Sequence, residues 1–146
     1  MKYFTVEWWQ NECENSSPMF ERYQTYFDSI AHKLPDSLVC LTEQHTLHDA
    51  KITRISCNFA SKTAVIELQG WDKHLTYPVK YTLTFEGVSR LHQDVPKQEA
   101  LGDLGYWECE LVDDAIEVRM LFVSSSEFKI VFTGFSFEHV PIVANS

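Results

Sequence analysis

Glycine and proline are scarce in this chain, five of each in 146 residues, which excludes collagen-like repeats and low-complexity linkers. Cationic residues are scarce too: 12 Lys and Arg stand against 21 Asp and Glu, a formal net charge of −9. A general nucleic-acid binder or an anionic-membrane binder needs a cationic surface, so neither role is expected. A cationic partner suits the balance better. No run approaches the 18 or so apolar residues that span a bilayer as a helix. Glu7 and Glu12 interrupt the first segment before it reaches the apolar length of a secretory signal. Cys13, Cys40, Cys57 and Cys109 contain no C-x-x-C pair, so they read as reduced thiols, with cytoplasmic as the expected location.

Catalytic and cofactor motifs are equally thin. There is no G-x-S-x-G elbow, no H-E-x-x-H, and no phosphate-cradling glycine loop. Cys40 lies near His45, but a nucleophile–base pair is recognised by geometry, which sequence proximity does not supply. Carboxylates are plentiful, yet none is marked out as an acid of raised pKa beside a base. The expectation is a non-catalytic protein without a cofactor.

What is present is a rich apolar content, 45% hydrophobic and 14% aromatic. A chain of this length buries roughly 68–70% of its unfolded surface, enough for one core without disulfides or metal. A single domain over 1–146 is expected, mainly helical over 1–48 and an antiparallel sheet over 49–140. Val6, Trp9 and Cys13 recur at helical spacing. A second helix opens with Ser17 as N-cap and Pro18 at its first position, carries the stripe Phe20, Tyr23, Phe27, Ile30 and Leu34, and ends at Pro35. Asp36 or Ser37 caps a third, short helix with Leu38 and Leu41.

After Lys51 the period becomes two. Ile55, Cys57 and Phe59 alternate with polar residues, as do Ala64, Ile66 and Leu68, and Tyr81, Leu83 and Phe85. Trp107, Cys109 and Leu111 follow, then Ile116, Val118, Met120 and Phe122, then Phe128, Ile130 and Phe132. About six strands with one apolar face predict an α+β fold, two or three N-terminal helices packed on an antiparallel meander. The stretch 90–105 lacks a period and holds Pro96, Gly102 and Gly105, a long loop that either binds something or is mobile.

Two constellations could carry function. His45, His48 and Asp49, with His74 further on, have a spacing that would let a helix hold a metal. In the plainer alternative, Asp49 accepts backbone N–H groups in a turn and His48 donates to a carbonyl. The second constellation is electrostatic. Between Lys97 and Arg119 there is no Lys, Arg or His, whereas Glu99, Asp103, Glu108, Glu110, Asp113, Asp114 and Glu117 all fall there. Strand alternation puts Tyr106, Glu108 and Glu110 on the face opposite Trp107, Cys109 and Leu111, with Glu117 and Arg119 beside them. That face is either a solvated edge or a docking surface for a basic protein, with Tyr106 as its aromatic anchor. The aromatic residues could also line a ligand pocket between helices and sheet, although such periods more often describe a plain core.

The run Met1-Lys2-Tyr3-Phe4-Thr5 followed by Glu7-Trp8 resembles the opening of a family of short, uncharacterised bacterial proteins. Leu47-His48-Asp49-Ala50, Leu83-Thr84-Phe85-Glu86-Gly87-Val88 and Trp107-Glu108-Cys109-Glu110 carry the same resemblance. The strand-rich half is also similar to immunity proteins of bacterial toxin systems. That similarity implies a small acidic protein that neutralises a basic toxin domain, for example a nuclease, by covering it. The partner-binding residues would then be Tyr106, Glu108, Glu110, Asp113, Asp114 and Glu117.

Overall fold

The computed structural model describes residues 3–5, 16–97 and 99–142. The helix expected around Val6, Trp9 and Cys13 lies outside the described residues. Helix α1 spans Ser16–Ile30, a 3-10 turn follows at Ala31–Lys33, and α2 spans Asp36–Gln44. Eight strands come next: β1 Lys51–Asn58, β2 Thr63–Trp71, β3 Pro78–Glu86, β4 Arg90–Gln93, β5 Leu104–Val112, β6 Ala115–Phe122, β7 Glu127–Phe132 and β8 Gly134–Pro141.

The helices follow their apolar spacing. Phe27, Ile30 and Leu34 from the first stripe are buried, while Phe20 at its start stays 42% exposed. Pro35 ends that stripe, and its carbonyl accepts the Leu38 and Val39 N–H groups that open α2. Leu38 and Leu41 then reach the core.

The expectation of one sheet of about six strands is overturned. The strands form two four-stranded antiparallel sheets, β1-β2-β3-β8 and β4-β7-β6-β5. Alternation along a strand says which side is apolar but not which sheet the strand joins. One core takes in the inner faces of both sheets and the helices. The sheets meet at Phe85 and Phe132, whose ring centroids are 4.8 Å apart, with Phe135 packed on both. The α+β description stands, but the helices do not roof an open sheet. They contact edge strands, α1 against β5 and α2 against β8.

Two strands go unread in the sequence. β4 lies inside the stretch taken as loop and has only Leu91 as an apolar residue; its pairing with β7 makes it a strand. β8 pairs with β3. The chain passes between the sheets twice at one corner. β3 turns into β4 at Gly87 (φ 63°), and β7 turns into β8 at Thr133, whose N–H donates to the Glu86 carbonyl. A Cβ at Gly87 would collide with the Thr133 hydroxyl, so this corner requires glycine.

β1 also departs from expectation. Cys57 and Phe59 are exposed, Phe59 at 89%. β1 is the outer strand of its sheet and a bulge between Ile52 and Arg54 resets its alternation. Only Ile52 and Ile55 pack against the core from this strand.

Candidate functional site

The site is built around β5. Its outer edge is not left open. The Tyr23 hydroxyl of α1 accepts the Cys109 N–H at 2.7 Å, and the Tyr26 hydroxyl accepts the Leu111 N–H at 3.1 Å. An unpaired strand edge is a template for unwanted pairing, and here two phenols satisfy it. Burial, reinforced by Cys109, raises the Tyr23 pKa and keeps the phenol protonated. Burial likewise pushes the Cys109 thiol up to about 12, against the lowering effect of Tyr23.

Strand parity places Glu108, Glu110, Glu117 and Arg119 on one face, as expected. The surroundings differ from expectation. Glu108 is 1% exposed and Glu117 8%. The Arg119 guanidinium holds all three carboxylates: Nη1 to Glu108 at 3.2 Å, Nε to Glu117 at 2.8 Å, and Nη2 to Glu110. Lys129 reaches Glu117 at 3.7 Å. The other oxygen of Glu108 accepts the backbone N–H of Tyr3 at 2.9 Å and of Phe4 at 3.2 Å. These carboxylates therefore bind structure rather than solvent. Leaving Glu108 or Glu117 buried without a cation would be costly, and Arg119 offsets part of that cost. Asp113 and Asp114 differ. They form the exposed tip of the β5–β6 hairpin, and among the described residues neither takes part in an ion pair.

By fixing Tyr3 and Phe4, Glu108 shapes the cleft beside it. The Phe4 ring stacks on Tyr106 with centroids 5.1 Å apart and planes 25° from parallel. Phe20 tilts against both rings at 5.3 and 5.8 Å. Opposite them runs the α2–β1 connection. The register shift between Leu104 and Tyr106 leaves Gly105 out of the ladder, and its carbonyl accepts His48 Nδ1 at 2.7 Å. The cleft so formed has a volume of about 420 Å³ and is walled by Phe4, Phe20, Tyr23, Tyr106 and Trp107 on one side and by Thr42, His45, Thr46 and His48 on the other. That size falls within the range of small-ligand pockets.

The histidines do not make a metal cluster. Among the described residues no three His, Cys, Asp or Glu side chains come together as a metal site. Gln44 ends α2, so His45 and His48 leave the helix that would have aligned them. His48 donates to a carbonyl, as the plainer alternative has it. Asp49 sits at φ 64° and uses its own N–H, donated to the Leu104 carbonyl at 2.8 Å. His45 packs against His139 of β8, centroids 4.6 Å apart, and against Tyr81 and Phe137. Partial burial, then the neighbouring His139, lowers its pKa. His74 lies in the β2–β3 loop, its N–H donated to Asp72. Cys40 hydrogen-bonds Gln44, not His45.

Sequence reasoning thus names Tyr106, His45 and His48 for two separate purposes, and the structure brings them to one cleft. It misses Phe4 and Phe20 as walls. It also misses Arg119 as the centre of the acidic group, although alternation had placed Arg119 among those carboxylates.

No helix among the described residues is long and apolar enough to cross a membrane. Neither a curated protein nor a solved structure matches the chain. One family does match, that described as protein of unknown function (DUF4085), over residues 1–132. The chain belongs to this uncharacterised family.

Proposed function

We propose that the chain is a non-catalytic binding protein of the cytoplasm, an immunity protein that neutralises a basic toxin domain such as a nuclease by occluding it. The observation that carries the reading is the tip of the β5–β6 hairpin. Asp113 and Asp114 stand exposed and outside any ion pair among the described residues, on a hairpin braced by Arg119. The tip borders a groove lined also by His32, Lys33, Leu34, Pro35, Leu111, Ile116 and Thr133. Carboxylates exposed on a braced hairpin suit a cationic partner, because their charge steers encounter. The net charge of −9 adds the long-range field. Contact therefore moves from the strand face to the hairpin tip: Glu108, Glu110 and Glu117 support the hairpin, and Asp113 and Asp114 meet the partner.

The test compares the wild type with the Asp113→Asn, Asp114→Asn double variant. Each is immobilised at low salt, exposed to lysate of the native organism and eluted with a salt ramp. A basic protein retained by the wild type should leave the variant at lower salt, and its toxicity to a bacterial host should be relieved by co-expressing the wild type. The same elution from both proteins, or no relief of toxicity, overturns the proposal.

A further inference from the structure

We infer that the outer edge of β1 takes an added strand from a partner protein, an extended segment in which apolar residues alternate with acidic ones. This surface is separate from the β5–β6 hairpin tip and does not depend on the reading above.

The two sheets have four edges, and three of them are protected. Tyr23 and Tyr26 satisfy β5. α2 packs on β8, where the Ser37 hydroxyl donates to the Phe135 carbonyl at 2.6 Å. β4 is only four residues long. β1 has eight residues and contains neither Pro nor Gly. Leu104 covers the chain just before it, with its N–H donated to the Ala50 carbonyl at 2.7 Å. Past the bulge, from Arg54 to Asn58, the ladder to β2 is regular, and among the described residues no strand pairs with the other side. An edge of this kind presents a row of N–H and C=O groups to a further strand, and such main-chain pairing is a recurring way to hold an extended segment.

The side chains of β1 define what that segment carries. Ile55 stands across from the fully buried Ile66, and Cys57 across from the buried Ala64. Ile55 itself is only half-buried and Cys57 is exposed, so the cover of the core runs out at β1. Apolar side chains on every second residue of an added strand extend it. On the opposite face of β1, Arg54 is exposed and joins no ion pair among the described residues. Its cross-strand neighbour Glu67 reaches Lys80 at 3.6 Å instead. β1 holds no acid of its own. Opposite charges on paired strands attract and like charges repel, so the intervening residues of the added strand are carboxylates. The net charge of −9 opposes such a segment at long range. At about 0.15 M salt that field is screened beyond roughly 8 Å, and the charges in contact decide. A second copy of the chain would set the cations of one β1 beside those of the other, so the added strand belongs to a different protein.

The probe is a capped peptide of alternating Val and Glu, about as long as β1, added to the full chain at about 0.15 M salt. One control replaces Glu by Lys, and a second carries methylated backbone nitrogens that cannot pair. The Val–Glu peptide should slow hydrogen exchange in Arg54–Asn58. In a Cys13→Ser background it should slow thiol labelling of Cys57 and leave the rate at Cys40 unchanged. It should bind at least about fivefold more tightly than the Val–Lys peptide, and the methylated peptide should not bind. Arg54→Glu, at an exposed position, should remove that preference, whereas Asp113→Asn, Asp114→Asn should leave it intact. No binding, equal binding of the two charged peptides, a preference that survives Arg54→Glu, or protection away from β1 overturns the proposal. A peptide-free chain that sediments as a dimer with β1 already protected also overturns it, because the edge then belongs to a second copy.

Discussion

The Tyr23 hydroxyl accepts the backbone N–H of Cys109 at 2.7 Å, so a helix side chain completes the hydrogen bonding of a strand edge 86 residues away in sequence. The contact ties α1 to β5 and sets one wall of the cleft. Tyr23→Phe keeps the ring and removes the acceptor, leaving a buried N–H unpaired. The expected cost is about 1–3 kcal/mol, read as a lower denaturant midpoint with an unchanged slope. Tyr26→Phe, which strips the acceptor from the Leu111 N–H, should act in the same direction.

Among the described residues, the Arg119 guanidinium joins three carboxylates, two of them buried. Arg119→Met removes the guanidinium that joins the three acids, while Lys129 still reaches Glu117. Breaking a buried pair in this way costs about 3–5 kcal/mol. Thermal melts of wild type and variant at pH 7 check this, and the variant should melt at the lower temperature.

Asp72 organises the β2–β3 loop. Burial alone would raise its pKa. Hydrogen bonds from the Tyr77 and Thr76 N–H groups, the Thr76 hydroxyl and the His74 N–H outweigh burial and hold the carboxyl down to about 2, against an ordinary value of 3.8. Between those values the unfolded chain binds more protons than the fold. The stability contributed by Asp72 is complete above the ordinary value and is lost as pH falls toward about 2. Asp72→Asn should therefore lower Tm at pH 7 and lose most of that effect near pH 2.5.

The cysteines should separate by reactivity. Cys57 is exposed, Cys40 half-buried, and Cys109 buried with its thiol pushed up to about 12. In a Cys13→Ser background, a thiol reagent at pH 7.5 should label Cys57 first and Cys40 more slowly. Cys109 should react only on unfolding, as mass spectrometry of timed samples would show.

Local structure was largely legible. The stripe of α1 and the apolar pair of α2 read directly from spacing, as did the alternation of β2, β3, β6 and β7. The split into two sheets was not legible, because it depends on the corner where Gly87 passes Thr133, and nothing in a two-residue period marks a corner. For the acidic strand, alternation correctly grouped Glu108, Glu110, Glu117 and Arg119 on one side. It could not show that Tyr3 and Phe4 lie there too, and so read a packed face as an open one. The cleft was the least legible element. Its members come from the first residues, from α1, from the α2–β1 connection and from β5, and no local pattern joins them.

The Glu108 carboxylate that accepts the Tyr3 and Phe4 N–H groups lies 105 and 104 residues beyond them. Such distant contacts close late in folding, after the chain entropy of a long loop has been overcome. On the ribosome, Tyr3 and Phe4 must wait for β5 and β6 to emerge before they can dock. The aromatic cleft is therefore assembled only after this hairpin has emerged, and a nascent chain shorter than the β5–β6 hairpin has no cleft with which to bind.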